Sequence, residues 1–555
     1  MRLDNIWSVK YNKEKNGGSG PDLKITVLSD IHYISRTMME GVSDRELLMK
    51  PAICEKALNM AAADADIMLI TGDLTDAGDK PSHNDLIAIL RKIKESGKKV
   101  FVTTATHDYH HYESYVQKYG SDIKYRKMPW KAPFFDRDAE SYAELVEEEF
   151  AALPEKDIIP ELEEVYSPEQ LWQLYYEFGA ADAISVCEEA HSYCVALDDK
   201  TWCLMLNDDF RNNEQGNASA TYSPTCFKWI DGIVKKAKSE GVFVFACTHH
   251  PLLPPVPAYR IGADYKNMRA AYVGHMLADM GIELVFSGHT HFSDIGFMRS
   301  DRGALLCDIT SPSVRFYPPE YRVAEIDGEK GVIDIRSAEV DSIDGFDLDG
   351  KTLKEYMRAG FCKEYEEKVA SLPSPVSSLI ANMRVKHIYP LCRRAAGLSS
   401  AEYEKIKDTR IFDLIIELVL NMLGGDGAYT PDTPEYKFMM GLSAVLDSII
   451  ETQPFYDVRK NVLKGYTVSE IIEPMLFNNG VGDSNTRFNF RTEPEKRFET
   501  HPFTSSCGDI VMAALCVIMI PLAKAAPFAA VAALPAATLI KKIKRKKNPP
   551  MPERY

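Results

Sequence analysis

The sequence is short of positive charge and lacks the cysteine patterns of disulfide-rich and zinc-finger proteins. It contains 65 lysines and arginines against 81 aspartates and glutamates, a formal net charge of -16. Because this charge repels a polyanion, we do not expect general nucleic-acid binding, and metal ions or local cations must hold any anionic substrate. The 11 cysteines are scattered without a C-x-x-C pair, which is typical of small buried residues in a reducing compartment.

The N-terminus also lacks the apolar stretch of a signal peptide. Residues 1–22 are polar, so we expect no cleaved export signal and a cytoplasmic protein. No internal repeat of fixed period is evident. With 555 residues the chain is too long for one hydrophobic core, which stops growing at roughly 250 to 300 residues, so we expect two domains and additional segments. The sequence does not predict an oligomeric state.

Two kinds of pattern divide most of the chain. Residues 23–340 alternate between short apolar strands and helical stretches, which predicts an α/β domain with helices covering its sheet. A helical, acidic insertion is expected at about residues 109–190, with a capping box at residues 167–170. Residues 341–507 predict a mainly α-helical second domain, for example at 411–423 before Gly424 and Gly425, and contain no recognisable chemical motif.

The last segment, residues 508–555, joins an apolar stretch at 510–540 to a basic run at 541–547. Each apolar half would form a helix of ~21 to 24 Å, short of the ~30 Å hydrocarbon core of a membrane. Pro521, Lys524 and Pro527 lie between the halves, so we expect a shallow hairpin that attaches residues 510–547 to the cytoplasmic face of a membrane. An alanine-rich helix buried against the second domain remains the alternative.

Polar side chains follow five predicted strands at the point where each strand ends. The strands are expected at residues 23–29, 67–71, 99–104, 242–247 and 283–286. Because the strand ends of an open α/β sheet meet at one edge, these side chains can converge. In chain order they are Asp30, His32, Asp73, Thr106, His107, Asp108, His249, His289 and His291.

Each motif alone is a weak signal, since a capped loop or a simple turn would account for it. Two carboxylates and four histidines that converge, however, are costly to bury unless a cation neutralises and binds them. Mixed carboxylate and imidazole ligands suit zinc, iron, manganese or nickel better than calcium. The residues therefore predict a site for divalent transition-metal ions and leave the identity of the metal open.

As an ordered set, the motifs D-x-H, G-D, x-x-H-D, H-H-P and G-H-x-H resemble those of the calcineurin-like metallophosphoesterase superfamily, which includes purple acid phosphatases and cyclic-nucleotide phosphodiesterases. The resemblance covers roughly residues 23–326. It implies a metallophosphoesterase-type β-sandwich flanked by helices. It also implies an enzyme that hydrolyses a small phosphomonoester or phosphodiester.

The same resemblance implies a role for each residue. Asp30, His32 and His291 would hold one metal ion, His249 and His289 the second, and Asp73 would bridge the two. His107 would act on the phosphate as an acid or charge stabiliser, and Asp108 would orient its ring. Two metal ions about 3.5 to 4 Å apart clamp the attacking and leaving oxygens, and a metal-bound hydroxide attacks the phosphorus.

The sequence departs from the family at one ligand position. The usual G-N-H-D motif reads Ala105-Thr106-His107-Asp108, so the Thr106 hydroxyl replaces the asparagine carbonyl that normally ligates the second ion. A hydroxyl is a poorer and shorter donor, so we expect weaker binding of that ion. An alternative is therefore a catalytically weakened scaffold that acts as a binding or regulatory protein at the membrane. A third hypothesis makes the helical region after residue 350 the working part, which docks a partner at the membrane while the phosphoesterase domain is regulatory.

The remaining histidines are interpreted as bystanders. His83, His110 and His111 are expected to be solvent-facing or loop residues rather than ligands. His250 is expected to flank the second metal without binding it, because its neighbour occupies the ligand position. The proline-rich residues 251–257 predict a stiff loop at the mouth of the site or a ligand for a partner.

Overall fold

The computed structural model describes residues 23–109, 166–208, 222–253 and 270–492, apart from short gaps at 40–42, 44, 301, 373, 375, 426–428, 452–456, 462, 464 and 478–482. Two mixed β-sheets pack face to face, and helices cover the outer face of each. The region after residue 350 is mainly helical. The predicted fold, a β-sandwich flanked by helices and followed by helices, is confirmed.

The first sheet, sheet A, contains six strands within the described residues. They are β1 (Leu23–Leu28), β2 (Ile67–Thr71), β3 (Lys99–Thr103), β11 (Glu320–Asp327), β12 (Val332–Glu339) and β13 (Asn485–Asn489), in the spatial order β13-β12-β11-β1-β2-β3. The first three strands run parallel, and β1 pairs antiparallel with β11. Every residue of β2 is buried, as expected for a strand covered on both faces.

The second sheet, sheet B, contains seven strands within the same described ranges. They are β4 (Ser185–Cys187), β5 (Ser192–Ala196), β6 (Thr201–Met205), β7 (Phe243–Cys247), β8 (Leu284–Ser287), β9 (Asp294–Arg299) and β10 (Leu305–Thr310), in the order β4-β5-β6-β7-β8-β10-β9. Strands β6, β7, β8 and β10 run parallel. The ends of β7 and β8 therefore lie side by side at one edge of the sheet.

Helices enclose the two sheets, and a hydrophobic core separates them. The helices are α1 (Arg45–Asp64), α2 (Lys80–Glu95) and α3 (Pro168–Tyr175) on sheet A, and α4 (Pro224–Glu240) and α5 (Ala270–Met280) on sheet B. Between the sheets, Leu69 and Phe101 from sheet A share one core with Phe245 and Phe286 from sheet B. This core fixes the two sheets against each other, and with them the loops at their common edge.

The helical region has a separate core built around Tyr389, Leu414 and Phe438. Its helices are α6 (Leu353–Ala370), α7 (Val376–Asn382), α8 (Val385–Ala396), α9 (Ser400–Ile406), α10 (Ile411–Gly424), α11 (Pro434–Glu451), α12 (Val458–Asn461) and α13 (Val468–Leu476). Residues 485–489, inside the expected helical domain 341–507, form strand β13 and pair with β12. The chain thus returns from the helices to sheet A.

Several local predictions are confirmed. The apolar runs at residues 193–197 and 202–206 predict a hairpin, and strands β5 and β6 form it. Helix α10 ends at Gly424, as its glycines indicated. Ser167 and Gln170 form the expected capping box at the start of α3. In the described residues no helix is long and apolar enough to cross a membrane. His110, His111, most of the insertion at 109–190, residues 254–257 and the segment 508–555 lie outside the described residues.

Candidate metal centre

The loops at one edge of the sandwich carry the side chains that the sequence singled out. Asp30 and His32 follow β1, Asp73 follows β2, and His249 follows β7. His289 and His291 lie in the loop between β8 and β9. The ligand atoms of Asp30, His32 and His291 lie within 4.8 Å of one another, as do those of Asp30, Asp73 and His249 and those of His32, Asp73 and His107. Asp30, His32 and Asp73 each belong to two of these groups, so the six side chains form one continuous cluster.

The shortest separations match those of ligands on a shared ion. The Nε2 atoms of His32 and His291 are 3.1 Å apart, and His291 Nε2 is 3.3 Å from Asp30 Oδ1. On the other side, His249 Nε2 lies 3.2 Å from Asp73 Oδ2. Ligand atoms bound to a transition metal at about 2.1 Å are themselves roughly 3 to 3.5 Å apart. The donor set therefore fits a metal ion.

Two buried ligand atoms have no hydrogen-bond partner within the described residues. They are Asp30 Oδ1 and His249 Nε2. The other polar atom of each side chain is engaged, because the His289 amide donates to Asp30 Oδ2 at 2.8 Å and His249 Nδ1 lies 2.9 Å from the Thr71 carbonyl. A carbonyl only accepts, so His249 carries its proton on Nδ1 and presents the Nε2 lone pair to the site.

The charges of the site are poorly balanced by the protein alone. Burial favours the neutral form of Asp30, yet His291 and His249 hold its pKa well below the usual range. Burial opposes the charged form of His249, but Asp73 raises the pKa of this imidazole well above its ordinary value. Burial, with the neighbouring His250 and His249, lowers the pKa of His289 well below it. A cation that binds both imidazoles in their neutral form would remove this conflict.

The backbone of the site is strained. Asp30, His32, Asp73, His289 and His291 have φ angles of 51°, 47°, 49°, 64° and 59°. Left-handed backbone costs a non-glycine residue roughly 1 to 2 kcal/mol. Five of the seven non-glycine residues with positive φ in the described part of the chain are thus predicted metal ligands. Strain of this kind persists where the surrounding structure fixes a functional side chain.

Glycine is required beside two of the ligands. Gly72 has a φ of 97°, and a Cβ there would lie 2.6 Å from Ala105 Cβ and 2.8 Å from His249 Nδ1. A Cβ at Gly288 would lie 1.7 Å from Ser29 Oγ. The glycines of the G-D and G-H-x-H motifs therefore let two loops approach each other closely enough to share an ion.

Residues 23–293 match the sequence model of the calcineurin-like phosphoesterase family. These residues form a calcineurin-like phosphoesterase domain. Such a domain is an enzyme that hydrolyses phosphoesters with the help of metal ions, a phosphatase or a phosphodiesterase. None of the curated proteins matches the chain in sequence.

Two solved structures resemble the phosphoesterase. A dimetal phosphatase from Danio rerio aligns at 10% identity with a TM-score of 0.36, covering 58% of this chain and 97% of that one. A purple acid phosphatase from yellow lupin (Lupinus luteus) seeds aligns at 8% identity with a TM-score of 0.32, covering 59% of this chain and 53% of that one.

His107 of the phosphoesterase lies at the edge of the metal centre, half-buried. Its amide donates to Asp73 Oδ1 at 2.9 Å, and its Nδ1 lies 2.6 Å from the carbonyl of Asp76. Nδ1 therefore carries a proton, and Nε2 is the atom left to act on a substrate. The imidazole stands edge-on to that of His32, with ring centroids 4.4 Å apart.

Asp108 does not have the role that the resemblance implied. Its carboxylate accepts hydrogen bonds from the amides of Thr75 and Ala105, both at 2.9 Å, while the Asp76 carbonyl contacts the His107 ring. Burial and the nearby Asp73 raise the pKa of Asp108 to about 7. Asp108 thus ties the β2 and β3 loops together through their backbones. The expectation that it orients the ring is wrong, because its oxygens face the amides of a tight turn.

The structure places two further residues that the sequence singled out, Thr106 and His250. Thr106 begins a short 3-10 helix (Thr106–Tyr109) and is half-buried beside the centre. His250 is buried, and its ring centroid lies 4.2 Å from that of His289. His250 and His289 form a further possible ligand group with His249.

His83 contradicts its prediction, because it is fully buried. It lies on the inward face of α2 with Leu86 and Leu90, at helical spacing. Its Nδ1 is 2.8 Å from the Tyr175 hydroxyl. The prediction failed because it considered the histidine alone. The apolar residues at helical spacing around it place it on the buried face of α2.

Sequence reasoning missed four residues around the centre. Arg315 donates to Asp76 Oδ1 at 2.6 Å and to the His32 carbonyl. The Phe316 ring stacks on that of His291 at 4.8 Å, and Asp208 accepts from the His250 amide at 2.9 Å. Asp76 lies three residues after Asp73 of the G-D motif, and this closeness offered a signal. Arg315, Phe316 and Asp208 offered none, because they lie more than 20 residues along the chain from the motifs named above.

Proposed function

We propose that the protein hydrolyses a phosphomonoester or phosphodiester with two divalent transition-metal ions, manganese, iron, zinc or nickel. The proposed ligands are Asp30, His32, Asp73, Thr106, His249, His289 and His291. The observation that supports this most strongly is the place of the Asp73 carboxylate, which lies between proposed ligands of both ions, His249 and His32. Its Oδ2 atom lies 3.2 Å from Nε2 of His249 and 3.9 Å from Nε2 of His32, which are proposed ligands of different ions.

Bound ions would supply Lewis acidity to the phosphoryl oxygens and a nucleophile derived from water near neutral pH. The chain's own residues supply the geometry. The Thr71 carbonyl keeps the Nε2 lone pair of His249 available, and the His289 amide fixes the carboxylate of Asp30. Arg315 holds the Asp76 side chain, and Asp76 in turn holds His107.

His107 is the proposed acid or charge stabiliser. Its Nδ1 proton is committed to the Asp76 carbonyl, so the ring is oriented and Nε2 is the only nitrogen that can donate to a leaving oxygen. We propose that His107 contributes to turnover rather than to ion binding, because the resemblance implies a role on the phosphate for it and not one as a metal ligand.

Turnover of p-nitrophenyl phosphate and of its bis ester, with and without added manganese, tests the proposal. Hydrolysis of either ester that requires the metal supports it. The rival scaffold hypothesis, motivated by Thr106, predicts manganese binding without turnover of any nucleotide, cyclic nucleotide or phospholipid head group.

We also propose that residues 510–547 attach the enzyme to the cytoplasmic face of a membrane. The support is sequence alone: an apolar stretch interrupted by Pro521, Lys524 and Pro527, followed by a basic run that anionic lipids would attract.

A further inference from the structure

The helical region contacts the loop that carries two proposed metal ligands. Ser293, two residues after His291, donates its amide to the carbonyl of Leu423 at the end of α10, at 3.0 Å. Ile295 donates its amide to Asp483 Oδ1 at 2.9 Å. The segment 288–295 is therefore held from outside the phosphoesterase domain, by residues 130 or more positions further along the chain.

These outside contacts are themselves fixed. Asp483 is buried, and the fully buried Arg322 donates to its carbonyl and, at 3.1 Å, to that of Thr310. Ser484 donates its hydroxyl to the Gly424 carbonyl at 3.0 Å and accepts the Ser337 amide at 2.9 Å. Strand β12, residues 483–484 and the end of α10 thus form a closed set of hydrogen bonds around Ser293.

The packing leaves no room for a side chain at the centre of this set. Gly425 has a φ of 92°, and a Cβ there would lie 2.5 Å from the Ser293 carbonyl oxygen and 2.7 Å from Asp483 Cβ. The backbone carbonyl cannot rotate away as a flexible side chain could. A methyl group would therefore displace either α10 or the loop.

We infer that residues 423–425 and 483–484, here called the α10 clamp, position the loop of His289 and His291 and so set the affinity of the centre for metal ions. The inference rests on the proposed ligands. It makes the helical region part of the metal site, although none of its side chains is a proposed ligand. A change of the helices that moves α10 would change metal occupancy.

Gly425→Ala in the full chain tests the clamp against two matched controls. Gly397→Ala adds a methyl group directly after α8, outside the clamp, where nothing lies within 4 Å. Gly465→Ala adds one at a φ of 96°, again with nothing within 4 Å, and so measures backbone strain alone. The readouts are hydrogen exchange of peptides covering residues 287–297 and the dissociation constant for Mn²⁺ by calorimetry.

We expect Gly425→Ala to speed exchange in the 287–297 peptides and to weaken Mn²⁺ binding at least tenfold, with both controls within twofold of wild type. If Gly425→Ala does not fold, Ser484→Ala removes the bond to Gly424 without adding volume, and we expect it to weaken Mn²⁺ binding about threefold. Unchanged exchange or unchanged Mn²⁺ affinity in the variant that folds would overturn the clamp alone. Wild-type protein that binds none of Mn²⁺, Fe²⁺, Zn²⁺ and Ni²⁺ would overturn the proposed function as well.

Discussion

At the scale of single residues, the centre depends on how the backbone fixes imidazole tautomers. The Thr71 carbonyl sets that of His249, and the Asp76 carbonyl sets that of His107. In both residues Nε2 is left facing the site, so the same device serves a proposed ligand and a proposed acid. Burial distinguishes the two proposed roles: the ligand His249 is fully buried, whereas the acid His107 is only half-buried.

Replacement of Thr106 tests the weakest ligand. We expect Thr106→Asn to tighten the second metal ion, because an amide carbonyl is a longer and better donor than a hydroxyl. Turnover should rise at limiting Mn²⁺, and the advantage should shrink at saturating Mn²⁺. Superimposable metal titrations of the two proteins would show that Thr106 is not a ligand position.

Removal of the His107 ring separates catalysis from ion binding. His107→Ala should lower kcat by about 10² to 10⁴ through loss of the acid, with Mn²⁺ affinity close to normal. His387→Ala is a control, because His387 is exposed on α8. A His107→Ala protein with wild-type kcat would exclude the residue from the chemistry.

The proposed ligands could be predicted because each follows an apolar strand in a recognisable motif. The residues that orient them could not. The contact of Arg315 with Asp76 joins positions 239 residues apart, and the carbonyl that holds His107 belongs to backbone that any residue type would supply. The same limit explains the wrong expectation for Asp108.

At the scale of elements, Asp308 on β10 holds the loop that follows β7. Its Oδ2 accepts the Leu252 amide at 2.7 Å and the Leu253 amide at 3.1 Å, and its Oδ1 accepts the Ser287 hydroxyl at 2.7 Å. Burial raises the pKa of Asp308 to about 6. The folded protein therefore holds this proton more tightly than the unfolded chain does, and stability is lost as the pH rises from about 4 through 6.

Asp308→Asn cannot ionise and should escape that loss. Relative to wild type, its stability should increase between about pH 4 and pH 7.5 by on the order of 2 to 3 kcal/mol. The thermal midpoints of both proteins across this range measure the effect, beside the partly exposed Asp334→Asn as a control. If the difference in thermal midpoint between wild type and Asp308→Asn does not vary with pH, this account of Asp308 is wrong.

Most boundaries of helices and strands could be predicted from the apolar pattern and the helix caps of the sequence. Examples are α3, α10 and the β5–β6 hairpin. Strand β13 could not be predicted in this way, because its residues Asn485–Asn489 have no apolar alternation and pair only through the edge of β12. Contacts that distant in the chain leave no local pattern.

At the scale of the whole molecule, deletion of residues 508–555 tests the membrane proposal. The truncated protein should move from the membrane pellet to the supernatant with its phosphoesterase activity intact, because the described metal centre lies within residues 23–293. Deletion of residues 1–22, which are polar, should leave the fractionation unchanged. Full-length protein that is soluble without detergent would refute the attachment.

The central claim is that Asp73 links two metal ions in one phosphoesterase centre. Metal content by mass spectrometry, measured with p-nitrophenyl phosphate turnover, tests it in Asp73→Asn beside the exposed control Asp199→Asn. The account predicts about two ions per chain in wild type and control, and at most one ion with turnover reduced at least ~10³-fold in Asp73→Asn. Full activity of Asp73→Asn, or of wild type in strong chelator, would contradict it.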